Sequence, residues 1–137
     1  MNGKFYISTE KSQLEMPLII EFLSEHSYWA HERSRKTIEK SIENSLCFGV
    51  FTSKNKQVGF ARVITDYAVF AWLLDVFIVE DFRGKGLGKM LMTEIMADGD
   101  LQGLKRWGLG TKDAHGLYGK YGFTPLLKPE IMMERVQ

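Results

Sequence analysis

The sequence predicts a single mixed α/β domain built on one central sheet of mixed strand direction. Two apolar segments joined by a short polar turn are followed by a third, which is typical of an antiparallel meander. A glycine-rich turn and an amphipathic segment then separate the third strand from a fourth. A strand–helix–strand unit of this kind places its two strands parallel, with a right-handed crossover. The chain has 137 residues, which is enough for one core of this size.

The N-terminal third supplies one strand and two helices before the meander. Lys4 to Thr9 alternates as a short strand. From Pro17 to Ser24 the apolar residues recur at helical spacing, and a proline is tolerated in a first turn. Ser34 to Asn44 has two isoleucines one turn apart, and Ser34 is a suitable N-cap. These patterns predict two helices ahead of the second strand.

The remaining segments complete the sheet. Leu46 to Thr52 and Val58 to Thr65 predict a hairpin, and Phe70 to Val79 is apolar on both faces and is therefore expected to be central. Gly86 to Asp98 has one apolar stripe and predicts a helix. The last expected elements are a strand at Trp107 to Thr111, a helix at Asp113 to Tyr121, and two antiparallel strands at Phe123 to Leu127 and Ile131 to Val136.

Composition and charge narrow the class of protein. A formal net charge of +1 argues against a general nucleic-acid binder, because such domains carry a clear basic excess. The longest apolar stretch, Ala68 to Val79, is too short to span a bilayer. The start of the chain lacks the apolar run of a signal peptide, and Cys47 is the only cysteine. We therefore expect a cytoplasmic protein with no nucleic-acid or membrane partner.

The turn after the third meander strand has the composition of an anion-binding site. Glycines allow several backbone N–H groups to point at one anion, and the start of a helix adds a partial positive charge. Arg83, Lys85 and Lys89 add full charges beside it. The segment predicts a phosphate-bearing cofactor, and it reads Val79-Glu80-Asp81-Phe82-Arg83-Gly84-Lys85-Gly86-Leu87-Gly88-Lys89.

The turn alone leaves the ligand open. The chain lacks the Gly-Lys-Ser/Thr of a P-loop, which disfavours a nucleoside triphosphatase. A meander precedes the turn, which disfavours the nicotinamide-binding fold. A structural alternative is that the glycines serve only tight strand–helix packing and that the cations are solvated.

A second motif follows about 25 residues later, and with it the chain resembles the GNAT superfamily of N-acetyltransferases. The phosphate signature of that family, Gln/Arg-x-x-Gly-x-Gly/Ala, is matched by Arg83, Gly86 and Gly88. Its later signature, Ala-x-x-Leu-Tyr-x-Lys-x-Gly-Phe, is matched from Ala114 to Phe123. The chain departs from the pattern where Thr111 replaces a common asparagine and Glu80 a frequent proline.

The resemblance implies the GNAT fold, a central mixed sheet flanked by helices with a parallel strand pair that splays near Val79 and Thr111. It implies acetyl-CoA as the acyl donor, bound in the splay. The backbone of residues 77–79 pairs with the pantetheine arm, and an N–H near Val76 or Phe77 polarises the thioester carbonyl. The resemblance assigns the following residues to the donor: Val76, Phe77, Ile78, Val79, Arg83, Gly84, Lys85, Gly86, Leu87, Gly88, Lys89, Thr111, Ala114, Leu117 and Tyr118.

Two residues are candidates for proton transfer. Family members commonly use a tyrosine at the position of Tyr118 to protonate the departing thiolate, and a phenol of pKa about 10 suits an alkyl thiol. The alternative is a core or CoA-contacting tyrosine. Asp75 lies in an apolar strand, where burial can make a carboxylate a usable base. It equally fits a structural partner for a buried backbone or arginine group, and Asp66, Glu80 or a water chain are other bases.

The acceptor side of the site is less defined. Tyr28, Trp29 and Arg33 lie between the two N-terminal helices, where this family builds its acceptor pocket, and aromatic walls can hold a cationic amine. They are alternatively packing aromatics and a surface arginine. The histidines show no metal-ligand spacing, so we expect no metal. Gly116 and Gly119 inside a helix suggest that something packs closely there, the CoA arm above all.

The sequence therefore predicts an N-acetyltransferase that acts on a small primary amine. Cys47 lies in an early strand, away from both motifs, which favours direct transfer over an acyl-enzyme. A rival hypothesis is a non-catalytic acyl-CoA sensor or regulatory module on the same fold, and a third is a dinucleotide-dependent enzyme. In this fold the C-terminal strands often pair between subunits, so the resemblance also points to a homodimer.

Overall fold

The structure, a computed structural model, describes residues 4–137 of the domain expected over residues 1–137. Met1, Asn2 and Gly3, on which part of the argument about the chain start rests, lie outside the described residues. The strands are β1 (Phe5–Ser8), β2 (Leu46–Thr52), β3 (Gln57–Thr65), β4 (Phe70–Ile78) and β5 (Arg106–Leu109). The α-helices are α1 (Met16–Glu21), α2 (Arg35–Glu43), α3 (Leu87–Ala97) and α4 (His115–Gly119).

Short helical turns fill several of the connections. A π-helical turn at Phe22–His26 continues α1, and 3-10 turns lie at Lys11–Gln13, Glu80–Phe82, Gly99–Leu101 and Pro129–Ile131. When the π-helical turn is counted with α1, every element predicted between Lys4 and Tyr121 is present with ends within about two residues. The Oγ atom of Ser34 accepts a hydrogen bond from the Thr37 N–H at 3.2 Å, so the predicted N-cap of α2 is confirmed.

The five strands form one mixed sheet in the order β1-β2-β3-β4-β5. The first four strands are an antiparallel meander, and β5 pairs with β4 in parallel, as the crossover rule predicts. The parallel pairing begins at Phe70 and Arg106 and ends at Leu73 and Leu109. Beyond that pair β4 continues while β5 ends, so the two strands part.

A β-bulge interrupts the pairing of β3 with β4. Phe60 faces Phe77, but Arg62 faces Leu74, so that two residues of β4 lie opposite Ala61. The first of them, Asp75, has a φ of +54°, a left-handed conformation that non-glycine residues rarely adopt. The bulge lies where β4 leaves β5, and it therefore shapes the point at which the two strands separate.

The sheet carries one layer of helices on each face, because alternate residues of its strands point to opposite sides. Cys47, Phe60 and Phe77 pack with the apolar residues of α1 and α2. Their strand neighbours Phe48 and Ala61 pack with the apolar stripe of α3. The sheet is therefore the central layer of three, and both faces of β2 and β3 are buried.

The prediction of two C-terminal strands was wrong. Residues 123–137 contain no strand within the described part of the chain, only the 3-10 turn Pro129–Ile131. Pro125 removes one backbone N–H donor from the first predicted strand, and this tail forms no strand pairing with β5. Its apolar side chains lie at the surface, with Leu127 90% and Met133 95% exposed. The homodimer stays a prediction.

Among residues 4–137, none of the helices has the length and apolar character needed to cross a bilayer.

Candidate active site

The two motifs meet at the start of α3. A Cβ added to Gly88 would lie 3.6 Å from Cδ2 of Leu117, so α4 lies directly beside the glycine-rich turn. The hydroxyl of Tyr121 donates to the Lys89 carbonyl oxygen at 2.9 Å and lies 3.0 Å from Oγ1 of Thr93. Tyr121 thus ties the turn after α4 to α3 and has a packing role. The fold therefore brings the two signatures into one site although a helix and a strand separate them in sequence.

The glycine-rich turn presents uncapped backbone donors. Gly84 and Gly86 have φ values of +79° and +78°, and Gly86 is the N-cap residue of α3. No side chain from the described residues caps this helix. Its first N–H groups are therefore available to an anion, which is the usual chemistry of a helix start. Arg83, Lys85 and Lys89 are all exposed around it.

Some backbone groups near the end of β4 are already hydrogen-bonded within the protein, and only the others are open to a ligand. The N–H of Val79 donates to the Val58 carbonyl oxygen at 2.9 Å. Bonded and non-bonded pairs alternate along an antiparallel ladder, so the backbone groups of Ile78 face away from β3. Nε of Arg83 donates to the Ile78 carbonyl oxygen at 2.9 Å. The expectation that residues 77–79 all pair with pantetheine is thus too broad, because the N–H of Val79 is already bonded within the sheet.

A cleft of about 630 Å³ opens where β4 and β5 part. It joins residues of both strand ends, the loop after α1, and α4. Seven of the residues expected at the site line it, namely Tyr28, Trp29, Asp75, Val76, Thr111, Ala114 and Tyr118. The others are Trp72, Leu73, Leu74, Leu109, Gly110, Lys112 and Asp113. The sequence did not point to this second group, because which side chains face the cleft depends on where the two strands separate.

Tyr118 is an unengaged phenol on the wall of this cleft. Its side chain is buried, and its hydroxyl makes no hydrogen bond to any other residue between 4 and 137. Burial raises the pKa of Tyr118 to about 12, with smaller contributions from Tyr28 and Asp113. The phenol is therefore protonated at all physiological pH values and can donate a proton into the cleft.

Asp75 is fully partnered. Its Oδ1 atom accepts from Nε1 of Trp29 at 2.8 Å, and its Oδ2 atom accepts from Nη1 of Arg33 and Nε of Arg62, each at 2.9 Å. The carboxylate has no exposed surface. Of the two roles that the sequence leaves open for Asp75, the structure shows the partner of two arginines, of which Arg62 is buried and Arg33 half-buried. Arg62 was not among the predicted residues, although it is the single charge in the apolar segment of residues 58–64.

Arg33 is placed behind the cleft. Its guanidinium contacts Asp75 and is not among the groups that line the cleft, so it reaches the site only through that carboxylate. Trp29 lines the cleft and binds Asp75 at once. Tyr28 extends to the opposite wall, where its hydroxyl accepts a hydrogen bond from the Lys112 N–H at 2.9 Å. The aromatic residues thus lie in the cleft, and the arginine supports it.

Several residues expected to bind the donor either direct their side chains into the protein core or have no side chain. The Phe77 ring stacks on Phe22 with centroids 4.0 Å apart, and the side chain of Leu87 is buried in the core. A Cβ placed on Gly116 or Gly119 would meet no protein atom within 4 Å. Packing of the protein itself therefore does not account for these two helix glycines.

The other ionisable candidates lie elsewhere. Hydrogen bonds from the N–H groups of Val69, Ala68 and Phe70 lower the pKa of Asp66, which forms the turn before β4. Glu80 does not line the cleft either. The thiol of Cys47 is buried, and that burial raises its pKa to about 11, so it is a poor nucleophile. Residues 4–137 hold no group of three His, Cys, Asp or Glu residues placed to bind a metal.

Comparison with known proteins identifies the family. Residues 43–125, which include both motifs, match the family described as Acetyltransferase (GNAT) domain. The chain is 29% identical to FG08082 of Gibberella zeae, a protein named for an inferred acetyltransferase activity, and the match covers 86% of this chain and 77% of that protein.

Solved structures agree with this match. A crystal structure of a GNAT-family protein (xcc2953) from Xanthomonas campestris superposes with a TM-score of 0.94 and 49% identity, over 97% of this chain and 93% of that chain. The ribosomal-protein-S18-alanine N-acetyltransferase of Escherichia coli shares the fold at a TM-score of 0.71 and 21% identity, over 88% of this chain and 77% of that chain. The mixed sheet, the parallel strands that part and the two signatures are therefore those of an acetyltransferase, and the chain belongs to the GNAT family.

Proposed function

We propose that the protein transfers an acetyl group from acetyl-CoA to a small primary amine in a direct ternary complex. The observation that carries this proposal is the position of the uncapped glycine-rich turn beside the cleft that holds the Tyr118 hydroxyl. An anion held at the start of α3 has its attached chain directed along the open edge of β4. The reacting end of that chain then lies between β4 and β5.

Three parts of the chain supply the chemistry of acyl transfer. The Val76 N–H, which belongs to the bulge and lies beside the cleft, is assigned as the donor to the thioester carbonyl oxygen as negative charge develops. The amine nitrogen forms a bond to the carbonyl carbon and the carbon–sulfur bond breaks. Tyr118 gives its proton to the departing sulfur, so a neutral thiol leaves.

The amine must lose a proton before it attacks. Both oxygens of Asp75 accept hydrogen bonds, so we assign the proton to another acceptor. Asp113 also lines the cleft, is exposed, and forms no ion pair with any other residue in the range 4–137. We propose that Asp113 takes the proton, directly or through water, and that the aromatic walls Tyr28 and Trp29 hold the acceptor. The expected cytoplasmic location is compatible with this donor.

Binding of the donor tests the first part of this proposal. We expect CoA and acetyl-CoA to raise the melting temperature and to bind in a calorimeter, while NADH does neither. The variant Gly116→Leu is a specific test, because a Cβ at Gly116 would meet no protein atom within 4 Å in the free protein, and the CoA arm is expected to pack there. Its stability should therefore stay unchanged while affinity for CoA falls. If neither CoA nor acetyl-CoA stabilises the wild-type protein, the proposal is wrong.

Turnover tests the second part and separates an enzyme from a sensor. Small primary amines are incubated with acetyl-CoA and the protein, and the CoA released is measured with a thiol reagent. We expect at least one amine to give release that Tyr118→Phe abolishes without changing CoA affinity. A protein that binds acetyl-CoA and releases no CoA with any amine supports the regulatory alternative.

A further inference from the structure

Asp75 occupies a backbone position that favours glycine. Its φ of +54° lies in the left-handed region, and it is the first of two residues that face Ala61 across the β-bulge. A bulge whose first residue is left-handed normally has glycine there. Aspartate tolerates this conformation better than most residues, but at a cost that glycine avoids. The side chain of Asp75 must therefore offset that cost.

The side chain is held by donors from two other parts of the chain. Nε1 of Trp29 and Nη1 of Arg33 come from the segment between α1 and α2, and Nε of Arg62 comes from β3. We call these four residues the Asp75 clamp. Hydrogen bonds between ionised groups are strong and directional, and this carboxylate has no exposed surface. The clamp therefore joins the bulge to β3 and to the aromatic segment.

The clamp lies between the two halves of the cleft. Val76, the second residue of the bulge, lines the cleft on the side of β4, and Trp29 lines it on the side of the N-terminal helices. Asp75 is covalently attached to the first and hydrogen-bonded to the second. A shift of the carboxylate therefore moves both walls together.

We propose that Asp75 is a positioning residue for acyl transfer, an inference that rests on the proposed function. The clamp fixes the bulge, and with it the direction of the Val76 N–H, while it holds Trp29 against the cleft. Without the carboxylate nothing ties the bulge to β3 and to Trp29, so the direction of the Val76 N–H is no longer fixed toward the thioester carbonyl. Asp75 then contributes to the reaction without touching the substrate and without accepting a proton.

The NMR resonance of the thioester carbonyl carbon in bound acetyl-CoA reports directly on a hydrogen bond from the Val76 N–H. Acetyl-CoA labelled with carbon-13 at the thioester carbonyl is bound to the wild-type protein, and its resonance is compared with that of free acetyl-CoA. A hydrogen bond to the carbonyl oxygen moves the resonance downfield. We compare Asp75→Gly, which suits the positive φ but lacks the carboxylate, with Asp75→Asn, which also suits it and keeps one acceptor oxygen. Arg35→Ala, which breaks an exposed pair with Glu39, is the control.

We expect a downfield shift in the wild type and in Arg35→Ala, a shift near zero in Asp75→Gly, and an intermediate shift in Asp75→Asn. CoA affinity should remain within about twofold in all four proteins, because the glycine-rich turn is not part of the clamp. With an amine found by the release assay, kcat of Asp75→Gly should fall about tenfold to a hundredfold, with little change in the KM for acetyl-CoA.

A wild-type shift in Asp75→Gly would overturn the inference, as would the absence of any shift in a wild-type protein that binds CoA. A wild-type protein that does not bind CoA fails the proposed function itself, and the inference falls with it. If Asp75→Gly does not fold, Trp29→Phe serves instead, because it removes one donor and keeps every charge. Its shift should be smaller than that of the wild type, and an unchanged shift contradicts the clamp.

Discussion

Tyr28 and Lys112 bridge the cleft from opposite walls. The Tyr28 hydroxyl accepts a hydrogen bond from the Lys112 backbone N–H at 2.9 Å, and the Lys112 ammonium lies 5.5 Å from the centre of the Tyr28 ring. Tyr28 belongs to the loop before α2, and Lys112 follows β5. The two contacts join the two walls of the cleft and therefore limit the space between them.

Removal of the bridging hydroxyl should affect the acceptor and not the donor. We expect Tyr28→Phe to raise the KM for the amine several-fold, with CoA affinity unchanged, and to lower the free energy of unfolding by about 1 kcal/mol or less. Steady-state kinetics and calorimetry measure the two effects. Tyr67→Phe is a matched control, because Tyr67 is 53% exposed against 54% for Tyr28 and lies in the turn before β4. Equal changes in both variants would contradict a role for the bridge.

Tyr118 in α4 and Tyr121 just after it should separate proton donation from packing. Tyr118→Phe removes the free hydroxyl in the cleft, and we expect kcat to fall by about 10²- to 10⁴-fold with the affinity for CoA retained. Tyr121→Phe removes the hydrogen bond to the Lys89 carbonyl oxygen and should cost about 1 kcal/mol of stability, with kcat within a few-fold of the wild type. If the kcat values of the two variants are alike, Tyr118 is not the acid.

In the glycine-rich turn, alanine should lower stability where the glycine has a left-handed backbone conformation. Gly86→Ala forces a Cβ into a φ of +78°, at a cost of about 1–2 kcal/mol, although no atom lies within 4 Å. Gly99→Ala also meets no atom within 4 Å, its φ is not in the left-handed region, and it should leave stability nearly unchanged. Chemical denaturation of both variants measures the difference. A Gly86→Ala protein as stable as Gly99→Ala would show that the turn is not fixed in this conformation.

A side chain at Gly108, where β5 contacts β4, should lower the stability of the fold. A Cβ there would overlap Cζ3 of Trp72, which faces Gly108 in the β4–β5 register. We expect Gly108→Ala to lower the free energy of unfolding by about 1–3 kcal/mol, because the rigid indole must move. The double variant Gly108→Ala with Trp72→Leu should recover part of that loss. A single variant of wild-type stability would contradict the observed packing.

Alkaline pH should destabilise the fold through its buried thiol. The unfolded thiol titrates near pH 9.0, while burial raises the pKa of Cys47 in the folded protein to about 11. Between these values the unfolded state binds fewer protons, so the free energy of unfolding falls as pH rises, by about 1.4 kcal/mol per unit from this group. Urea denaturation between pH 8 and 11 should show this slope, and Cys47→Ala should reduce it. An equal slope in both proteins would contradict the assignment.

Most of the fold could be predicted because its signals are local. The period of the apolar residues, the Ser34 cap and the glycine-rich turn each indicate an element from a few neighbouring residues. The prediction for the C-terminal tail was wrong because strand formation depends on residues that are distant in sequence. Alternating apolar residues such as Ile131 and Met133 are compatible with a strand, but a strand forms only when another strand is there to pair with it.

Several residues of the candidate site could be identified from the sequence, but the contacts between them could not. The two signatures indicated Tyr118, and the chain between the helices indicated Tyr28 and Trp29. The Asp75 clamp was not predictable, because it depends on a bulge in the β3–β4 register and on an arginine that is distant in sequence. Nothing local distinguishes a buried carboxylate that meets two guanidinium groups from one that meets a substrate.

The early end of the β4–β5 pairing leaves the free protein with an unfinished sheet. Beyond Leu73 and Leu109, the facing edges of the two strands have no partner strand between them. A peptide-like donor that enters this gap completes the hydrogen bonding that the chain leaves open. Its binding energy then adds to folding, and at a concentration 100-fold above Kd it adds about 2.7 kcal/mol. Under the proposed function the stability of the protein would depend on the supply of acetyl-CoA, and a fall in that supply would make it easier to unfold and to degrade.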